Sequence, residues 1–218
     1  MDILDKINLL SKSVKFQVTF SLCFALTSVC FAQIKHGLRD ESGRHIIPRG
    51  FVINTNDYGG EVFFDSDDYV RMVRLGANAQ VIRLELGKLS TFPGGKLDAN
   101  YLLKLDSLVA MGRKTGMKTV FKMTVYGVDK FIWEDFWQNN NNEHQTYIEA
   151  WKVIWNRYTN DKSVLGYDIV NEPRKLTMDI SYTALTGKYL LPLYQKIIDE
   201  SQNINADKRI LIQSIFHE

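Results

Sequence analysis

From Gln33 onward the chain alternates between short apolar runs and longer stretches whose apolar residues recur at helical spacing. That alternation predicts repeated strand–helix units around a parallel sheet. Ile34 to Leu38, a turn over Asp40-Glu41-Ser42-Gly43 and then His45 to Pro48 read as a short lead-in hairpin, its turn residues being those that tolerate tight geometry. The first strand of the sheet is expected at Arg49 to Asn54, followed by a polar loop from Thr55 to Glu61. A helix over Ser66 to Leu75 carries Tyr69, Val70, Val73 and Arg74 and is stopped by Gly76. The second strand is expected at Asn78 to Leu86, and Leu97 to Thr115 forms a long amphipathic helix that ends at Gly116. Lys118 to Val125 is the third strand. After a loop rich in aromatic residues and asparagines, Gln145 to Tyr158 makes a helix with Tyr147, Ile148, Trp151, Ile154 and Trp155 on one side. Val164 to Val170 is the fourth strand, Tyr182 to Asn203 a helix interrupted at Pro192, and Arg209 to Ile215 the fifth strand.

Five βα units in one chain predict an α/β fold: a partial TIM (β/α)8 barrel, strands 1–5 with their helices, preceded by the hairpin. The chain has 218 residues, whereas a complete eight-stranded barrel takes roughly 250. The N-terminal segment shortens the folded part further. Lys6, Lys12 and Lys15 precede an apolar stretch, Phe16 to Ala32, that reads as a secretory signal peptide cleaved after Ala32. Gln17, Thr19, Ser21, Thr27 and Ser28 make it too polar, and its length is too short, to cross a hydrocarbon layer of about 30 Å. Residues 1–32 are therefore taken as an export signal and 33–218 as one barrel-type domain, secreted or periplasmic.

Composition fits a globular domain, with 45% hydrophobic and 24% charged residues. The formal charge is +2, and the basic residues are scattered, so no electrostatic footprint for nucleic acid or anionic lipid is present. Cys23 and Cys30 both lie in the N-terminal apolar stretch, which leaves the rest with no disulfide framework, thiolate metal site or cysteine nucleophile. His36, His45, His144 and His217 are spread through the chain without ligand spacing, so neither metal nor cofactor is implied.

In a βα barrel the reactive groups project from the C-terminal ends of the strands. The fourth strand runs out through Tyr167-Asp168-Ile169-Val170-Asn171-Glu172-Pro173. Glu172, a carboxyl at a strand end, is placed to act as a general acid or base. A carboxyl at an apolar barrel mouth can also have its pKa raised by desolvation and a nearby anion. Pro173 is expected to bias Glu172 toward an extended backbone. Asn-Glu-Pro is otherwise a common strand-ending turn. On the second strand Arg83 and Glu85 share a face, which allows a structural ion pair between them. The loop after the third strand gathers Tyr126, Phe131, Trp133, Phe136 and Trp137. Aromatic faces stack on sugar rings, so Tyr126 and at least one of Trp133 and Trp137 are candidate platforms, the phenylalanines being read as packing residues. Asn54, with Asn56 and Tyr58 as weaker candidates, is available for polar sugar contacts or for turn bonds.

The Asn-Glu-Pro at a strand end, the Gly43-Arg44 and Arg49-Gly50 of the lead-in, and an arginine on the second strand together resemble family 5 glycoside hydrolases, the cellulase family, over residues 34–218. The resemblance implies a retaining endo-β-glycosidase acting on a β-linked polysaccharide or oligosaccharide, with Glu172 as acid/base, Asn171 donating to the hydroxyl beside the reacting carbon, and Arg83 keeping the nucleophilic carboxylate ionised. Two departures stand out. Many members carry a histidine at the end of the third strand, where this chain reads Phe121-Lys122-Met123-Thr124-Val125-Tyr126. The family's nucleophile is a glutamate at the end of the seventh strand, beyond a His-x-Tyr pair, and neither occurs here; Glu218 follows the fifth strand and does not substitute. The expectation is a truncated N-terminal portion of such an enzyme, inactive alone and a monomer when full-length. The alternatives are a non-catalytic carbohydrate-binding pseudoenzyme, in which the aromatic loop still holds glycan, and, less favoured, a barrel metal hydrolase.

Overall fold

The computed structural model of the chain describes residues 43–55, 63–89, 96–125, 133–175, 178–205 and 208–215. The export segment, residues 34–42 of the hairpin, and the candidates Asn56, Tyr58 and Tyr126 lie outside the described residues, as does the side chain of Trp133. The chain divides between Ile47 and Pro48. On the first side, Gly43 has φ of 79°, the left-handed conformation that the expected turn requires. Everything below concerns the second side.

Five strands form one parallel sheet in sequential order: β1 (Gly50–Asn54), β2 (Ala79–Leu84), β3 (Lys118–Met123), β4 (Val164–Asp168) and β5 (Arg209–Leu211). The connections carry α1 (Ser66–Arg74), α2 (Leu86–Leu89), α3 (Ala99–Lys114), α4 (Trp133–Gln138), α5 (Glu143–Tyr158), α6 (Tyr182–Leu185), a π-helical turn (Thr186–Leu190) and α7 (Leu191–Asn205). This is the order expected of the first five βα units of a barrel.

Local chemistry sets the helix bounds. Asp65 accepts from the backbone N–H groups of Asp67 and Asp68 while the Asp68 carboxylate takes the N–H of Asp65, a capping box that starts α1. Asp98 caps α3 by accepting the backbone N–H groups of Asn100 and Tyr101. The asparagine run before α5 is a turn: Asn139 and Asn142 adopt φ of 55° and 63°, and the Asn139 Oδ1 accepts the N–H of His144. Asparagine enters this left-handed region at less cost than most residues. Two expectations change here. The aromatic stretch read wholly as loop contains α4, whose Phe136 is fully buried. The interruption expected at Pro192 takes the form of a π-helical turn immediately before α7 and not of a break, since helical backbone runs on through Leu191 into that helix.

One face of the sheet is covered by helices. Ile53, Ile82, Leu84, Phe121, Met123 and Tyr167 are all fully buried on it. Helix α5 presents the face its sequence spacing predicts, with Tyr147, Ile148, Trp151, Ile154 and Trp155 fully buried. Trp151 and Trp155 stack at 6.0 Å between ring centroids, and Tyr167 meets them edge-on at 5.7 and 6.3 Å. Such edge-to-face pairs stabilise beyond the area they bury. A polar knot sits under the same layer: the Tyr69 hydroxyl donates to Gln80 Oε1 at 2.6 Å, and Gln80 Nε2 donates to Thr119 Oγ1 at 2.9 Å. Gly112 makes room for it, since a Cβ there would lie 2.3 Å from Gln80 Nε2.

Every strand is shorter than expected, β1 by one residue, and at the ends of β2 to β5 helix side chains meet the backbone. At these ends a helix side chain takes up one backbone group, beside strand-to-strand bonds such as that from the Ile169 N–H to the Leu211 carbonyl. The Glu85 N–H goes to the Tyr101 hydroxyl at 2.8 Å, the Met123 carbonyl accepts from the Tyr147 hydroxyl at 2.9 Å, the Ile169 carbonyl accepts from the Trp151 indole at 3.1 Å, and the Gln213 N–H goes to the Tyr194 oxygen at 3.0 Å. Trp151 thus serves both packing and strand termination. Replacing Trp151 with alanine is expected to lower stability by about 3–5 kcal/mol, measured as a drop in the urea midpoint; a midpoint unchanged from the parent would contradict this account of the core.

Candidate active site

The other face of the sheet carries a polar row. Asn54 pairs with Arg83, Arg83 with Lys122, and Lys122 with Asp168, so four neighbouring strands bring these side chains level near their C-terminal ends. Asn54 is exposed, Arg83 and Lys122 are half-buried, and Asp168 is buried at 8%. Arg83 and Asn54, both sequence candidates, therefore stand side by side. Where the family resemblance leads one to look for a histidine, Thr124 is buried with its hydroxyl lacking a hydrogen-bond partner among the described residues.

Four residues beyond Asp168 the chain reaches Glu172. Asn171 is buried at 3% and its N–H donates to the Met123 carbonyl at 2.8 Å, which ties the loop to the end of β3. The Glu172 side chain is 41% exposed, and its Oε2 lies 3.4 Å from Arg174 Nη2. The backbone of Glu172 is not extended, contrary to the expectation drawn from Pro173: φ is 50°. A left-handed backbone costs a non-glycine residue about 1–2 kcal/mol and persists where its surroundings over-determine it. Here the Glu172 N–H donates to the side-chain oxygen of Gln213 at 3.0 Å, from two residues past the end of β5.

Trp137 is corrected from a sugar platform to a structural residue. It is 1% exposed, so neither face is open to a ring, and its indole N–H donates to the Arg174 carbonyl at 2.8 Å, which fixes the segment that follows Glu172. Three participants escape the sequence reading: Lys122, Asp168 and Gln213. Strict alternation along the third and fourth strands would have put Lys122 and Asp168 on Arg83's face once the register was known. Nothing local marks Gln213. Among the described residues, no three His, Cys, Asp or Glu side chains come together in a way that could hold a metal ion.

Asp168 is a second carboxyl near Glu172, but an unsuitable nucleophile. One of its oxygens accepts from the Gln213 amide, and the other is buried without a hydrogen-bond partner. Burial raises its pKa and the Glu172 charge adds to this, against the opposing effects of the Gln213 hydrogen bond and the Lys122 cation. On acidification the folded state therefore takes up this proton before the unfolded state does. As the pH rises from near the ordinary value of 3.8 toward the higher folded pKa, the unfolded chain releases the proton first and stability falls; above the folded pKa the loss is complete. Asp168→Asn keeps an acceptor for Gln213 and removes this titration. Urea midpoints followed upward from pH 4 are expected to fall more for the parent than for Asp168→Asn, and parallel profiles would refute the assignment.

With the geometry in hand, likenesses to known proteins can be placed. The chain resembles endo-glycoceramidase II from a Rhodococcus species, with a TM-score of 0.67 and 18% identity over 81% of this chain and 51% of that one. An endogalactoceramidase gives 0.69 and 18% over 82% and 52%, and Thermotoga maritima Cel5A gives 0.58 and 16% over 76% and 52%. The chain thus spans about half the length of these structures, and at such identity they speak to the fold: a sheet of five parallel strands that matches part of their TIM barrels. No curated protein sequence matches it. The family model for cellulase, glycosyl hydrolase family 5, matches residues 40–216, a span that holds the whole polar row, Asn171, Glu172 and Gln213. The chain belongs to glycosyl hydrolase family 5.

Proposed function

We propose that this protein acts in the retaining hydrolysis of a β-linked glycan or glycoconjugate, with Glu172 as acid/base. The observation that carries the reading is a half-exposed glutamate just past the C-terminal end of β4, beside a buried asparagine and within the end of the sheet that bears Arg83. In the first step a second carboxylate attacks the anomeric carbon while Glu172 gives its proton to the departing oxygen. In the second step Glu172 takes a proton from a water whose oxygen attacks the anomeric carbon and displaces the second carboxylate from the glycosyl–enzyme left by the first step, which releases the sugar and restores the acid. Asn171 holds the hydroxyl next to the reacting carbon and Arg83 faces the nucleophile. Asn54, Tyr126 and Trp133 are the proposed sugar contacts.

The reading takes the nucleophile to lie outside the described residues, because retaining chemistry wants an ionised second carboxylate about 5–5.5 Å from the acid, whereas burial raises the Asp168 pKa and the Gln213 amide holds one of its oxygens. It also takes residues 1–32 as an export signal, so that the mature protein works outside the cytoplasm. Solved neighbours were studied with a cellobiose-like imidazole, with ganglioside GM3 and with cellobiose, and these chemistries are the first to test. N-terminal sequencing of the exported protein is expected to begin at Gln33; retention of residues 1–32 would overturn the export reading.

The 218-residue chain is expected to bind a cello-oligosaccharide or a glycosphingolipid headgroup without releasing reducing sugar. Glu172→Gln, an isosteric change that removes acid chemistry but little ground-state binding, should leave affinity within about threefold. Turnover that Glu172→Gln abolishes would show that the second carboxylate is already present. Failure to bind any β-linked glycan would overturn the glycosidase reading itself.

A further inference from the structure

Gln213 is the side chain on which the Glu172 loop closes. Its amide oxygen accepts the Glu172 N–H at 3.0 Å, while its amide nitrogen donates to the Asp168 carboxylate and, at 3.4 Å, to Asn171 Oδ1. One primary amide therefore meets three consecutive demands of the β4 end: an acceptor for the backbone of the acid, a donor for the buried carboxyl below it, and a donor for the asparagine beside it. Its own backbone is fixed at both polar atoms by a single phenol. The Gln213 N–H donates to the Tyr194 oxygen at 3.0 Å, and the Tyr194 hydroxyl donates to the Gln213 carbonyl at 2.7 Å. Burial pushes the Tyr194 phenol up to about 12, so it remains a donor throughout the physiological range.

We propose that Gln213 is the positioning residue for the acid/base: it holds Glu172 in its left-handed backbone conformation by an amide bridge from the end of β5 to Asp168, Asn171 and Glu172, without touching substrate. The inference rests on the reading of Glu172 as the acid/base, but the bridge itself is a property of the free chain. A non-glycine residue at φ of 50° stays there when its surroundings leave it no better choice. The bond from Gln213 supplies that condition at the acid's own N–H. Glutamine is the residue whose one planar group can accept on one side and donate twice on the other. A glutamate would keep the acceptor and lose the donors, and a methionine of similar length would lose both.

The test uses the 218-residue chain labelled with 15N and 13C. In the unmutated protein a through-hydrogen-bond coupling between the Glu172 nitrogen and the Gln213 side-chain carbonyl carbon is expected, and its absence overturns the proposal whatever the variants do. In Gln213→Met the Glu172 amide should exchange with solvent about tenfold faster, as loss of one hydrogen bond predicts, while Gln213→Glu, which keeps the acceptor but sets a second carboxylate against Asp168, should accelerate it less than Gln213→Met does. Amides of Ile82 and Phe121 should be unchanged in both. Equal acceleration at Phe121 would make Gln213 a general structural residue and refute the positioning role, as would an unaltered Glu172 amide in Gln213→Met. Glycan binding that fails in the unmutated chain would remove the glycosidase reading and leave the bridge standing; a missing bridge would leave glycan binding untouched.

Discussion

The architecture depends on how backbone groups just past the strand ends are satisfied. Inside a parallel ladder each N–H and C=O has a neighbour, but the first residues beyond it do not, and a buried backbone group without a partner is costly. In this protein phenol and indole groups from the helices take that place. Tyr101 accepts from the Glu85 N–H and pairs with Thr55, whose own hydroxyl donates to the Arg83 carbonyl. Tyr147 donates to the Met123 carbonyl, Trp151 to that of Ile169, and Tyr194 grips Gln213 at two points. Burial raises the pKa of Tyr101, Tyr147 and Tyr194, so the hydroxyls stay protonated. The same side chains are core residues, so packing the helices and ending the strands are one event.

That constraint places the chemistry. The Met123 carbonyl accepts two hydrogen bonds, one from Tyr147 and one from the Asn171 N–H, and so the end of β3 holds the residue before Glu172. The end of β5 holds Glu172 itself through Gln213. Asn171 and Glu172 are thereby suspended between the strands on either side of β4, and their position follows from sheet register. The charges beneath lie in the same register, with the cations of Arg83 and Lys122 on β2 and β3 in line with the carboxyl of Asp168 on β4. In a partly buried environment, charges are tolerated when opposite ones stand beside them.

What the sequence displayed and what it hid divide along physical lines. The strand–helix alternation, the buried face of α5 and the stop signals at Gly76 and Gly116 all arise from local periodicity or local backbone conformation, and each is where the spacing puts it. The placement of Asn171 and Glu172 just past the fourth strand was legible from the apolar run that precedes them, and that of Arg83 because alternation assigns it a face. The strand lengths were not legible: hydropathy counts tyrosine and tryptophan as apolar, and it is their polar atoms that meet the backbone at the strand ends. Trp137 misled for the same reason, since an indole in an aromatic stretch looks like a platform until its N–H is found on the Arg174 carbonyl. Gln213 and the left-handed Glu172 belong to contacts across 41 residues, which leave no period in the sequence.

Exposure changes sharply along the β4 end. Asp168 and Asn171 are buried, yet the Glu172 side chain keeps 41% of its surface. A group that must meet both a substrate oxygen and a water cannot be fixed by burial, because the packing that would fix it would also exclude what it reacts with. The alternative is to fix its backbone and leave the carboxyl free, and the features of Glu172 fit that solution: a left-handed φ, an N–H held from the neighbouring strand, and a proline immediately after it. The precision of the site is then stored in main-chain hydrogen bonds contributed by two strands. The cost is a strained residue held by contacts from β3 and β5, so the geometry of Glu172 reports directly on the integrity of the sheet.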